Sequence, residues 1–307
     1  MTKTRLAIYD IIIFMTLKDW ILLLRPWSYT ATLIPFLVAA GDCSSVENPD
    51  WLHWGLGLVV GLFFQITVNL LNTWGDEQSG VDDVAGALRT TPQVHLGLIS
   101  PRTLLAIALA CALTGSLLGI GLTLRLGEDG MHIHLPLLAI GLLGLAGATN
   151  YTTGIRFKYN GLGVPFVSLL MGPIEYAAAA LLLQPDHIPD LMPSVPIAFL
   201  VGIIMHGNDM RDMPTDAAAG IQTFSTLLGV RGALAYYWTG HLLPYAICLY
   251  IPPLTLIALP LSLATLVKAT RIYRANPLSP PWRRLERDSA GIHLIFGMLL
   301  ALACLMR

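Results

Sequence analysis

The stretch Asn69-Leu-Leu-Asn72-Thr-Trp-Gly-Asp76-Glu-Gln-Ser-Gly-Val-Asp82-Asp83 ends an apolar run that starts near Leu52. A run of about 20 mostly apolar residues is long enough to span a bilayer as a helix. The acidic tail therefore falls at a membrane boundary. Asn72 and Asp76 are four apart, which puts them on one face if the helix continues. The same arrangement recurs in Asn208-Asp209-Met-Arg211-Asp212-Met-Pro-Thr-Asp216-Ala-Ala-Ala-Gly220, again closing an apolar run. Asn208 and Asp212 repeat the spacing, and Asp216 lies four further on.

The rest of the chain has the composition of a polytopic membrane protein. Of 307 residues, 55% are hydrophobic and 12% charged, against roughly 25% charged in a soluble domain. Net charge −1 gives no basic field to attract nucleic acid. The four cysteines, Cys43, Cys111, Cys248 and Cys304, form no CxxC pair and read as packing residues. Nine apolar stretches predict spans at roughly 22–41, 52–74, 103–124, 135–153, 162–183, 193–210, 231–250, 253–270 and 289–306. With that assignment, 16 of the 18 Lys and Arg fall on one side, which predicts a cytoplasmic N-terminus and an external C-terminus. Residues 1–21 are expected to form an interfacial segment. Residues 22–307 are expected to form one membrane domain with motif-bearing halves of about 22–155 and 156–307. The predicted fold is thus all-α, about nine helices around a central chamber.

Carboxylates sharing one face at a membrane boundary repel each other and are costly to desolvate. A divalent cation relieves both problems. Oxygen-only donors on facing helices suit Mg²⁺, which takes one or two carboxylates and fills its octahedron with water and phosphate oxygens. Two facing clusters around a diphosphate, with a greasy chamber below, describe a site for a prenyl diphosphate.

These residues resemble the UbiA superfamily of intramembrane prenyltransferases, and its menaquinone branch most of all. Asn72-Thr-Trp-Gly-Asp76-x5-Asp82 is similar to the branch's N-D-Y-G-D-x5-D. The segment from Asn208 to Thr223 is similar to N-N-x-R-D-x3-D-x3-G-K-x-T. Tyr159-Asn-Gly161-Leu-Gly163, Met171-Gly172-Pro173 and Arg25-Pro26 are supporting matches. The resemblance implies Mg²⁺-dependent transfer of a polyprenyl group to an aromatic acceptor, 1,4-dihydroxy-2-naphthoate first and 4-hydroxybenzoate or another quinone precursor second. It implies metal and catalytic roles for Asp76, Asp82, Asp212 and Asp216, with Asn72, Asn208 and Asp209 assisting at the metal. Arg25, Arg89, Lys158 and Arg211 are candidates for the diphosphate, and Tyr151 and Glu175 for the acceptor. A bacterial or archaeal inner membrane is the expected location, with no nucleic acid and no obligate protein partner.

The chain departs from the pattern. Thr73 stands where the branch often has Asp, and Ala85, Ala217 and Ile221 replace usual basic residues. Those losses motivate a second reading, an isoprenoid-binding homologue without turnover. A secondary transporter is a third, although its site would sit near the midplane. Lys158 could contact diphosphate or snorkel to the interface. His206 is expected to be a neutral, hydrogen-bonded imidazole. His132 and His134 are expected to be solvated loop residues.

Overall fold

The computed structural model describes residues 15–45, 47–78, 93–94, 96–127, 133–186, 188–250, 253–278, 280–282 and 284–307. Its elements are helical throughout, with one isolated β-bridge between Asn160 and Gln222. The helices are α1 (Leu17–Leu24), α2 (Thr30–Asp42), α3 (Trp51–Gln78), α4 (Pro101–Arg125), α5 (Leu135–Asn150), α6 (Gly163–Leu183), α7 (Ser194–Ala218), α8 (Phe224–Ile247), α9 (Leu259–Ala275) and α10 (Leu285–Leu305).

Each of the nine predicted stretches is helical, but nine spans are not confirmed. By length and hydropathy, α3, α4, α6, α10 and the helix over Pro253–Ala275 qualify alone. Joining α1 to Pro26–Ser45 across a 41° bend adds a sixth. At 16 residues α5 is short, and α7 carries the second acidic cluster within its helix. The expected unbroken span 22–41 is interrupted at Arg25, whose φ of 52° is left-handed, next to Pro26. Proline has no N–H to continue the ladder and disfavours helical geometry in the residue before it. Upstream, Thr16 and Asp19 form a capping box that starts α1.

Two other helices are irregular. Pro173 lies inside α6, where Leu170–Ile174 widen into a π turn that accommodates the missing N–H. In α8, Gly229 has φ 65° and ψ 171°, so Phe224–Leu228 forms a separate first turn.

Helix α3 packs on α4, α7 on α8 and α10, and α2 on α10 and the second half of α6. Phe36, Tyr176, Tyr245 and Phe296 fill the core at the end of the bundle away from the acidic motifs. Cys43, Cys248 and Cys304 are buried free thiols there, matching their expected packing role. His206 is also as expected: Nε2 pairs with the Ala233 carbonyl (2.8 Å) and Nδ1 with Ser225 Oγ (3.0 Å). His134 is not a solvated loop residue. It caps α5, with Nδ1 accepting from the Leu137 N–H (3.2 Å) and Nε2 reaching the Pro185 carbonyl (3.1 Å). His132 lies outside the described residues.

Candidate active site

The acidic motifs end α3 and lie near the end of α7, and the loop between α5 and α6 reaches in beside them. That loop is held by backbone geometry. Arg156 takes a left-handed φ of 58°, and the Lys158 N–H donates to the Tyr151 carbonyl (2.9 Å). Thr152 Oγ1 donates to the Leu71 carbonyl (3.0 Å). The approach requires Gly75, because a Cβ there would lie 2.8 Å from the Thr152 side chain. The Asn160–Gln222 bridge joins this loop to the one after α7.

Lys158 is 2% exposed, so it does not snorkel. Its Nζ donates to Asp76 Oδ1 (2.8 Å) and Asn72 Oδ1 (3.4 Å), and the Tyr159 hydroxyl donates to the same Asp76 oxygen (2.7 Å). Burial alone would push the Lys158 ammonium down. The carboxylates of Asp76, Asp216 and Asp212 more than offset this and hold it well above the ordinary lysine range. Residues of both motifs therefore act on one ammonium.

On α7, Arg211 forks onto Asp212, with Nε and Nη2 donating at 2.7 and 2.6 Å. Its remaining donors go to Asn208 Oδ1 and Glu286 Oε2, both at 2.6 Å. The Trp27 indole N–H donates to the other Glu286 oxygen (3.1 Å), and the Arg287 guanidinium lies 4.3 Å from the Trp27 ring centre. This close meeting of α7 and α10 depends on Gly207, where a Cβ would lie 3.0 Å from the Glu286 backbone nitrogen. Glu286 and Trp27 were not among the residues expected from sequence. Glu286 sits in a basic stretch 75 residues after Arg211, and only folding joins them.

Arg25 is buried, and its Nη2 donates to Thr73 Oγ1 (3.4 Å). A polar ladder missed in the sequence continues down α3. Asn69 Nδ2 donates to the Leu24 carbonyl and Ser28 Oγ (both 2.9 Å), and Gln65 Nε2 donates to Ser28 Oγ (3.2 Å). Its signal was available in the spacing of Gln65, Asn69 and Thr73, four residues apart in an apolar run. Asp82 and Arg89 lie outside the described residues.

Below the acidic end lies a mainly apolar cavity of about 330 Å³ among α3 to α7. Arg25, Asn72, Asn208 and Glu286 line its mouth, with Tyr151 at the cavity edge. The Tyr151 hydroxyl is buried and has no hydrogen-bond partner. Glu175 lines the wall deeper in, level with Gly61.

The donor set fits Mg²⁺. It consists of carboxylate and amide oxygens, and both Asp209 Oδ atoms and Asp216 Oδ2 are buried without partners. Among the described residues, no three His, Cys, Asp or Glu side chains are grouped to hold an ion by themselves. An ion here would complete its shell with phosphate oxygens and water.

Residues 30–301 match the UbiA prenyltransferase family. The chain belongs to that family. UbiA prenyltransferase domain-containing protein 1 of Mus musculus is 31% identical over 292 residues, covering 91% of this chain and 82% of the mouse protein. The Homo sapiens protein of that name is 30% identical over 294 residues, covering 91% and 81%. A UbiA homologue from Archaeoglobus fulgidus, solved with GPP and Mg²⁺, superposes with a TM-score of 0.61 at 19% identity, covering 94% of this chain and 100% of the other. This UbiA-family chain is thus a prenyltransferase by family and fold, and its apolar helices fit an integral membrane protein. These relatives do not support the menaquinone branch or dihydroxynaphthoate as acceptor. Being animal proteins, they also give no support to a bacterial or archaeal inner membrane or to the expected orientation.

Proposed function

We propose that the chain transfers a prenyl group from a prenyl diphosphate to an aromatic acceptor at the junction of α3, α7 and the α5–α6 loop. The observation that carries this reading is Lys158, buried between two acidic motifs at the mouth of an apolar cavity. The A. fulgidus homologue, with GPP and Mg²⁺ bound in the same fold, supports it.

Asn72, Asp76, Asp209, Asp212 and Asp216 would hold Mg²⁺, with Asn208 beside them; Asp82 is a further candidate and lies outside the described residues. Bound there, Mg²⁺ supplies Lewis-acid neutralisation of the leaving diphosphate. Lys158 and Arg25 face the same leaving group and stabilise the charge that develops on it. Arg89 is a further candidate. Arg211 is already committed to Asp212, Asn208 and Glu286, so it shapes the acidic cluster and supplies less to the diphosphate.

As the allylic C–O bond breaks, its electron pair leaves with diphosphate. A ring carbon of the acceptor then supplies the pair for the new C–C bond and loses its proton. The apolar wall excludes water that would trap the allylic cation. Tyr151, with an unpartnered hydroxyl at the cavity edge, is placed to hydrogen-bond an acceptor hydroxyl. Among acceptors, 1,4-dihydroxy-2-naphthoate remains the first to test and 4-hydroxybenzoate the second.

The test is pyrophosphate release by purified chain in nanodiscs with geranyl or farnesyl diphosphate and Mg²⁺, with each acceptor or none. Acceptor-dependent release is expected. Prenyl-diphosphate binding without release under any condition refutes transfer and identifies a non-catalytic isoprenoid binder.

A further inference from the structure

Among the described residues, Glu175 is the one acidic or basic side chain of the cavity wall remote from its polar mouth. It is half-buried, and its Oε2 has no hydrogen-bond partner. Ionisable groups at such depth are costly and call for a functional explanation. Its level in the bundle is fixed by Gly61, where a Cβ would lie 3.2 Å from Glu175 Oε1. Gly61 precedes Asp76 by fifteen residues of one helix, or about 22 Å at ~1.5 Å per residue. That separation is too large for one aromatic ring to contact both the reacting carbon and Glu175. The position fits the tail.

An extended isoprene unit, four chain carbons joined by bonds of ~1.5 Å, advances about 5 Å. Allowing for the diphosphate, the third or fourth unit reaches the level of Glu175. We propose that Glu175 sets the prenyl tail length. Tails of two units end short of the carboxyl, and three-unit tails end at about its level. Longer tails lie across it and bury a polar group that they cannot hydrogen-bond, which is unfavourable. This inference rests on the prenyl-transfer reading and refines its substrate class to short prenyl diphosphates.

The test measures kcat/KM for geranyl, farnesyl, geranylgeranyl and hexaprenyl diphosphates with the native chain, Glu175→Leu and Glu175→Gln. Geranyl diphosphate is the internal reference, since its tail stops short. The hexaprenyl-to-geranyl ratio is expected to rise about tenfold in Glu175→Leu and much less in Glu175→Gln, which keeps a polar group. If Glu175→Leu folds poorly, Glu175→Met gives the same comparison. An unchanged ratio in both apolar variants overturns the inference while leaving prenyl transfer intact. A raised acceptor KM with an unchanged ratio also overturns it and returns Glu175 to the acceptor. No turnover of any length by the native chain overturns prenyl transfer, and this inference with it.

Discussion

Replacing Lys158 by Met removes a buried cation from between two acidic motifs while keeping a side chain of similar length. The native ammonium donates to Asp76 at 2.8 Å and is nearly inaccessible. Breaking a buried ion pair by deleting one partner costs roughly 3–5 kcal/mol, because the other charge is left uncompensated. Asp76 keeps the Tyr159 hydroxyl and some solvent contact, so the lower end, about 3 kcal/mol, is expected. Mg²⁺ should recover much of it, since an ion at 100 times its Kd stabilises by about 2.7 kcal/mol. In the native chain Lys158 already compensates the site, so the ion gains less. The assay is the thermal midpoint of native and variant protein in detergent, titrated with MgCl₂ and with EDTA. The variant should start lower and respond more steeply to Mg²⁺. Equal midpoints without metal, or equal Mg²⁺ shifts in both proteins, would refute the view that Lys158 is the site's resident counterion.

Asp76→Asn and Asp212→Asn should each lower Mg²⁺-dependent pyrophosphate release by at least 10²-fold, the scale of losing a charge-stabilising group in a dry site; near-native rates in both would remove these residues from the metal site. Tyr151→Phe should raise the acceptor KM while leaving the thermal midpoint unchanged, since the hydroxyl has no protein partner to lose. Gly207→Val should destabilise by about 1–3 kcal/mol by forcing α7 away from the Glu286 backbone, read as a lowered midpoint with reduced turnover. At the opposite end of α3, burial tends to raise the Asp50 carboxyl, but the His53 N–H bonds and charge win and hold it below the ordinary range. That stabilisation is complete above about pH 4 and is lost as pH falls through the depressed folded value. The midpoint difference between native and Asp50→Asn should therefore be small and gone in strong acid.

The helices and the acidic motifs were legible because both depend on short-range pattern. Apolar length marked the nine helical stretches, and four-residue spacing put Asn72 with Asp76 and Asn208 with Asp212. What sequence could not show was long-range pairing. Lys158 reads equally well as an interfacial anchor until the 151–162 loop is seen folded inward. Arg211 reads as a free cation for diphosphate until Glu286, on the last helix, takes one of its nitrogens. The count of nine spans is not confirmed where polarity and geometry intervene. Arg25-Pro26 breaks the first stretch, and α7 trades hydropathy for the second motif. Glu175 was visible as a charge in an apolar helix, but its depth relative to Asp76 needed α3 and α6 side by side.

The inward-folded lysine has a consequence for how the site is loaded. An acidic pocket with its own ammonium can be assembled and held in a membrane before any divalent ion arrives. Loading would then be an exchange in which Asp76 turns from Lys158 to the ion and Lys158 is left without its carboxylate partner. A diphosphate entering with the metal offers the displaced ammonium a new anion. Mg²⁺ alone has no such compensation to offer. Metal and prenyl diphosphate should consequently bind with positive coupling, each tightening the other, and the empty enzyme should discriminate against stray divalent ions by holding its own counterion in place.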